Sequence, residues 1–218
     1  GYGMAAMGAF SLPGPRPQRE PRRRPIAATA TLAGIEATLD ATGALYWAAE
    51  RTLVVSDLHL ETGSSYARRG QMLPPYDTAI TLARLAETVR HYAPRRIVAL
   101  GDSFHDPFGP ERLAERERDT LLALTAAHDF VWIIGNHDRA AAEVLGGRAV
   151  ETYTLAGVTF RHIPTEGRPD APEVAGHLHP AATIEVRGRA IRRRAFIGCG
   201  RRLVMPAFGA LTGGLDFS

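Results

Sequence analysis

Six of the eight histidines in this 218-residue chain fall in five short blocks that also hold carboxylates and an amide. In order, the blocks are Asp57-Leu58-His59, Gly101-Asp102-Ser103-Phe104-His105-Asp106, Gly135-Asn136-His137-Asp138, His162 closing VTFRH, and Gly176-His177-Leu178-His179. Asp57 and His59 are two apart, as are His177 and His179, and in extended chain both members of such a pair point to one side. Each pair therefore offers two ligands in one direction. The glycine before Asp102, Asn136 and His177 suits a sharp turn and a close backbone approach. Imidazole, carboxylate and one amide, with no thiolate, suit Mn²⁺, Fe or Zn²⁺ in a catalytic rather than a structural site. The candidate ligands are Asp57, His59, Asp102, Asn136, His162, His177 and His179. They are too many for one first-row metal and about right for two ions sharing a carboxylate. Two divalent ions with an activated water are a device for in-line attack on phosphorus, with the metals roughly 3.5–4 Å apart. Buried Asp and His are costly unless coordinated or paired, which disfavours a purely structural role for the set.

These blocks need elements that end in one place. TLVVS (52–56), RIVAL (96–100) and FVWII (130–134) read as strands, with helical spacing from Tyr76 to His91 and from Glu111 to His128 between them. Such alternation implies a largely parallel sheet. Open α/β sheets place their sites at the carboxyl ends of strands, where the first three blocks lie. Upstream, TATLAGIEATLD and GALYWAA read as a hairpin turning at Asp40–Gly43. After Gly146 the helical spacing stops, and segments 150–155, 157–163, 172–176, 182–187, 189–197 and 201–205 read as a second, mostly antiparallel half. Two sheets packed face to face with helices outside accommodate both halves.

Apolar residues make up 45% and charged residues 22%, the balance of a globular protein. Residues 1–27, dense in proline and arginine, read as a flexible tail, and 28–218 as one domain. The tail lacks the order of a secretory signal. No apolar run approaches the roughly 18–20 residues that span a bilayer, so no membrane association is expected. The single cysteine, Cys199, excludes a disulfide framework and reads as a small core residue, and the expected location is the cytoplasm. His91 and His128 read as solvated groups near helix ends. All 26 basic residues are arginine, and the formal net charge is +3. Tyr66, Arg68 and Arg69 follow the first block closely; an aromatic beside two guanidiniums suits stacking a base and holding a phosphate. In RGRAIRRRAFIGCGRR (187–202), Arg192 and Arg194 face one way on a strand and Arg193 the other, so only one face can serve as a nucleic-acid track.

In order and spacing, DLHL, GDSFHD, GNHD, His162 and GHLH resemble the five blocks of the calcineurin-like metallophosphoesterases. The resemblance implies that family's α/β fold, a four-layer α/β/β/α sandwich of two mixed β-sheets flanked by helices. It implies that Asp57, His59 and His179 hold one metal, that Asn136, His162 and His177 hold the other, and that Asp102 bridges them. It places His137 beside the scissile phosphate as general acid, with Asp138 orienting its ring. More narrowly, SDLHLETGSSYARRGQMLPPYDT, ALGDSFHD, GNHD, AGHLHPA and RRLVMPAFGALTGGL together resemble the ligase-associated DNA-damage-response endonucleases of the PdeM type. That likeness, over residues 44–215, implies a manganese-dependent phosphodiesterase that cuts single-stranded DNA. It also implies a functional association with a DNA ligase, a helicase and an exonuclease. One departure is Thr62, where that family more often has lysine. GDSFH looks like the GD-x-F-H of SbcD-type nucleases, which makes His105 a site candidate near the DNA backbone. The alternative is a small-molecule phosphodiesterase, for example on cyclic nucleotides, which shares all five blocks. Protein phosphatases typically carry GD-x-V-D-R-G and GNHE instead.

Overall fold

Residues 27–32, 34–60, 77–104, 109–134 and 139–208 are described by the structure, a computed structural model. The first of them form a meander, β1 (Ala27–Leu32), β2 (Ile35–Asp40) and β3 (Leu45–Trp47), each strand antiparallel to the next. TATLAGIEATLD is therefore two strands rather than one. The second reversal falls at Asp40–Gly43, as its turn residues require. There Asp40 Oδ1 accepts from Thr42 N (2.9 Å) and Thr42 Oγ1 (2.7 Å), and Oδ2 accepts from Tyr92 Oη (2.6 Å). Those bonds let a carboxylate sit buried at a turn.

From β4 (Thr52–Ser56) the pattern is strand and helix in alternation: α1 (Asp77–Tyr92), β5 (Arg96–Leu100), α2 (Gly109–Arg112), α3 (Glu115–Ala127), β6 (Asp129–Ile133), α4 (Arg139–Leu145) and β7 (Arg148–Val150). The seven strands make one sheet in chain order, antiparallel up to β4 and parallel from β4 to β7. Helix α1 buries Thr78, Thr81, Leu82, Leu85, Thr88 and Val89, the stripe that a 3.6-residue repeat lays on one face. The expected helix from Glu111 to His128 is broken: Ala114 is extended (ψ 153) and starts α3, accepting from Arg118 N at 2.9 Å. The break turns Leu113 into the core.

Every residue of β4 and β5 is buried, as strands covered on both faces must be. Leu53, Val55, Ile97, Ala99, Phe130 and Trp132 meet the helices. Val54, Val98, Leu100, Val131 and Ile133 point the other way, onto a second sheet.

That sheet comes from the rest of the chain: β8 (Thr152–Leu155), β9 (Val158–Arg161), β10 (Glu173–Ala175), a separate hairpin of β11 (Ala181–Val186) and β12 (Arg189–Arg194), then β13 (Ile197–Cys199) and β14 (Arg202–Val204). Its order is β13-β14-β10-β9-β8, while β11 and β12 pair only with each other. The expected mostly antiparallel half is in fact mixed, because β9, β10 and β14 run parallel. Crossovers, not hairpins, connect them, and His162 and the Gly176–His179 block lie in those crossovers. Val158, Phe160, Val174, Leu203 and Met205 close the inter-sheet core. On the same three strands, Glu173 is buried between Arg161 Nε (2.9 Å) and Arg202 Nε (2.6 Å).

The fold is thus α/β, two mixed sheets packed face to face with helices outside. Among the described residues the buried apolar side chains of α1, α3 and α4 all cover the larger sheet. Phe160 is wholly buried between the sheets, two residues before a candidate ligand. Phe160→Ala is expected to cost about 3–5 kcal/mol, read from the urea midpoint; a loss below about 1 kcal/mol would mean the sheets are not held together here.

Candidate metal centre

Four parallel strands from two sheets deliver their carboxyl ends to one place. β4 leads into Asp57 and His59, β5 into Asp102, β9 into His162, and β10 into His177 and His179. Backbone bonds lash the loops together: Asp57 N to Gly101 O (3.3 Å), His59 N to Asp102 O (3.0 Å), and Gly176 N to His162 O (3.0 Å). Phe208 N donates to Ser56 O at 2.8 Å, which ties the distant segment after β14 to the same floor.

Two three-residue groups result, Asp57 with His59 and His179, and Asp102 with His162 and His177, the ligand atoms of each lying within 4.8 Å of one another. The two histidines of Gly176-His177-Leu178-His179 therefore part, one to each group, instead of pointing together as extended chain would have them. Left-handed backbone is the reason. His177 has φ 69 and His179 φ 48, and Asp57, His59 and Asp102 have φ 49, 48 and 46. Five of the six described ligand candidates thus hold a conformation that costs a non-glycine residue on the order of 1–3 kcal/mol. Such strain persists only where surrounding structure over-determines it.

The atoms that face each other are imidazole nitrogens and carboxylate oxygens. In the first group His59 Nε2 and His179 Nε2 are 3.2 Å apart, and Asp57 Oδ1 lies 3.4 Å from the latter and 3.9 Å from the former. Asp57 Oδ1 is buried and has no hydrogen bond among the described residues, whereas Oδ2 is held by Ser56 Oγ (2.5 Å) and His177 N (2.9 Å). In the second group the Leu100 carbonyl, 3.1 Å from His162 Nδ1, can only accept, so Nδ1 carries the proton. That leaves buried Nε2 facing Asp102 Oδ2 at 3.1 Å, with no other partner among the described residues. Imidazole nitrogens and carboxylate oxygens converging in this way could hold a cation between them. The donor set, imidazole with carboxylate and no thiolate, fits a divalent ion in each group. The groups adjoin: Asp57 Oδ1 is 4.0 Å from His162 Nδ1.

Two glycines make the arrangement possible. A Cβ on Gly101 would strike the His162 ring, and one on Gly176 would strike Ser56 Oγ and Asp57 Oδ2. The sequence pattern singled out both glycines but missed Ser56, whose only signal is its position before Asp57.

Asn136, the remaining candidate ligand, lies outside the described residues, as do His105, His137, Asp138, Thr62, Tyr66, Arg68, Arg69 and the 209–218 segment. Arg192 and Arg194 lie on β12, across from Thr183 and Ala181, with Arg193 on the opposite face. Cys199 is a correction: it is exposed, on the edge strand β13, not a core residue. His128 closes α3 and donates through Nδ1 to Pro94 O (2.9 Å), so it links two elements and is only half-exposed.

Burial opposes charge on His162, but Asp102, Asp57 and the Leu100 carbonyl outweigh it and raise the pKa above the ordinary 6.5. His179 is also raised, first by its contact with Asp57 and against its own burial. Both rings gain proton affinity on folding. Their contribution to the metal-free protein is therefore complete below the ordinary value and lost as pH rises through the raised values. A metal takes the same lone pairs and releases those protons. Going from about pH 6 to 8 should lower the Tm of metal-stripped protein while widening the gain on adding Mn²⁺; a pH-independent gain would show that these rings are not ligands. Gly176→Ala should abolish metal uptake by the group built on Asp57, measured by calorimetric titration, and wild-type stoichiometry would refute the cradle.

No family model matches the chain, and no curated protein is significantly similar to it. Solved structures do match. Nuclease MPE of Pseudomonas putida superimposes with a TM-score of 0.70 and 29% identity, over 88% of this chain and 92% of that one. More remote are the phosphoesterase YfcE of E. coli (TM-score 0.44, 18% identity, 75% and 82% covered) and a Vps29 single mutant of Entamoeba histolytica (0.36, 16%, 77% and 79%). No described helix is long and apolar enough to cross a membrane. Likeness along nearly all of two chains, around adjoining imidazole–carboxylate groups, gives this protein the fold of the calcineurin-like metallophosphoesterases and supports a metal-dependent phosphoesterase.

Proposed function

We propose that the protein is a binuclear phosphodiesterase that acts on DNA as an endonuclease, with single-stranded DNA as substrate and Mn²⁺ as the metal. The observation that carries this reading is the pair of adjoining ligand groups, Asp57, His59 and His179 beside Asp102, His162 and His177. Likeness to a bacterial nuclease over most of both chains supports nucleic acid as the substrate class. In this reading Asp102 is shared between the ions and Asn136 completes the second group. Bound there, two divalent ions would stabilise charge on the phosphoryl oxygens and supply an acidified water for in-line displacement.

The chain's own groups account for the rest. Ser56 and the His177 amide fix one oxygen of Asp57 so that only Oδ1 faces inward. The Leu100 carbonyl fixes the tautomer of His162. Hydrolysis forms one P–O bond to water oxygen and breaks one P–O ester bond, and the departing alkoxide needs a proton. His137 is the assigned donor, with Asp138 orienting its ring, a contribution of typically 10²–10⁴-fold. Tyr66, Arg68 and Arg69, and His105 near the backbone, are the assigned DNA contacts besides Arg192 and Arg194 of β12. A cytoplasmic location and a working association with a DNA ligase, a helicase and an exonuclease belong to the same reading.

The test is incubation with Mn²⁺ and circular single-stranded DNA, beside a cyclic nucleotide and a phosphomonoester. A circle has no ends, so its loss identifies an endonuclease; turnover of the cyclic nucleotide alone would replace the reading with a small-molecule phosphodiesterase. His137→Ala should keep its metal content and lose about 10²-fold or more of DNA cleavage, and wild-type cleavage by this variant would remove His137 from the mechanism.

A further inference from the structure

The net charge of +3 conceals an uneven distribution. Residues 181–194, the β11–β12 hairpin with its turn, hold five arginines and one glutamate, and residues 1–26 hold the same excess. The rest of the chain carries 16 arginines against 21 acids. Among the described residues, an excess of positive charge is thus concentrated on one two-stranded ribbon.

The ribbon's place matters more than its charge. It starts at Ala181, two residues after the ligand candidate His179, and its base is closed by Ala195 N donating to Pro180 O (3.0 Å). It pairs with neither of the other sheets. Cross-strand register sorts its side chains. Ala182 with Arg193, Ile184 with Ile191, and Val186 with Arg189 share one face; Ala181 with Arg194, Thr183 with Arg192, and Glu185 with Ala190 share the other. The first face is centred on branched apolar groups. The second is a lane of small residues edged by two guanidiniums, with its acid farther out, toward the turn. Arg194 lies at the base beside the metal-ligand loop and Arg192 roughly 6.5 Å farther along the strand, about the reach of one nucleotide in an extended backbone. At the mouth itself two large apolar side chains face solvent, Leu178 between the two histidines (61% exposed) and Ile163 next to His162 (52%). Unpaired bases and sugars can lie against such groups, whereas a duplex hides its bases in the stack.

We propose that the β11–β12 hairpin is an arm that holds the backbone of a single-stranded nucleic acid as it leaves the metal centre, gripping successive phosphates with Arg194 and Arg192 while Leu178 and Ile163 support the nucleotide at the mouth. The proposal rests on the DNA reading above and adds the path of the strand. It assigns the grip to one face of the ribbon, so Arg189 and Arg193 on the other face do not take part.

The experiment compares three Mn²⁺-loaded full-length variants with wild type: Arg192→Ala alone, Arg192→Ala with Arg194→Ala, and Arg189→Ala with Arg193→Ala. The readout is kcat/KM for single-stranded DNA across a salt series, with a duplex of the same sequence in parallel and Tm as the check on folding. Removing one arginine–phosphate pairing should flatten the log–log salt slope by about 0.7, so the Arg192/Arg194 pair should flatten it by roughly 1.4 and Arg192→Ala by half of that. The Arg189/Arg193 pair should keep the wild-type slope. Equal flattening by both pairs, or a larger effect on the duplex than on the single strand, would overturn the arm as described. Exposed Arg192 keeps the test decisive should the double variant unfold. Wild type that hydrolyses bis(p-nitrophenyl) phosphate but no DNA would sink the DNA reading itself, whereas DNA cleavage with an unaltered slope in the Arg192 variants would sink only the arm.

Discussion

The site depends on one electrostatic constraint: imidazole nitrogens and carboxylate oxygens are brought together at close range. Asp57 Oδ1 faces two imidazole nitrogens, and His162 Nε2 faces a carboxylate oxygen of Asp102. Hydrogen bonds already occupy the opposite atoms of the same groups, Asp57 Oδ2 with Ser56 and His177 N, and His162 Nδ1 with Leu100 O, so neither ring nor carboxylate can turn away. A cation relieves the site, and in its absence protons on His162 and His179 are the available substitute, which is why both rings hold theirs more tightly than usual. Polar and charged groups packed this closely keep their places only on a stiff scaffold.

The stiffness comes from two cores sharing one sheet. β4 and β5 are buried on both faces, against helices on one side and the smaller sheet on the other, so their ends cannot drift when a left-handed turn follows. The smaller sheet is fixed by inter-sheet packing and by Glu173 between Arg161 and Arg202, and Arg161 immediately precedes His162. Strain at Asp57, His59, Asp102, His177 and His179 is thereby loaded onto hydrophobic packing some residues away. Gly101 and Gly176 serve the same end by removing a Cβ where imidazole and carboxylate must touch the backbone.

The two sheets also divide the work. The larger sheet supplies the carboxylates, Asp57 and Asp102, while three of the four imidazoles in the two groups follow strands of the smaller one. Neither sheet alone holds a complete ligand group. Metal binding would therefore join the halves of the sandwich, adding to the apolar contacts that already do so. Excess basic charge is concentrated on a ribbon that belongs to neither sheet.

Much of this is readable from residue order. Buried parallel strands announce themselves as short apolar runs, and ligands that sit at strand ends stay within two or three residues of those runs, so DLH, GD, a lone His after VTFR and GHLH stand out in one dimension. Chemistry of the site follows from the same residues, because an imidazole and carboxylate set without thiolate already limits the metals. Other features exist only once the chain is folded. Positive φ sends His177 and His179 to different groups, which no two-residue periodicity foretells. Ser56 becomes a positioning group only because Gly176 lets the two come close, and Arg192 and Arg194 share a lane only because β12 pairs in one register with β11. Residue types are local properties and survive in the sequence, whereas the pairing of lone pairs, the parallel run of β9, β10 and β14, and the separation of one basic ribbon depend on contacts between segments up to 120 residues apart. Sequence periodicity carries no record of such contacts, so only packing decides them.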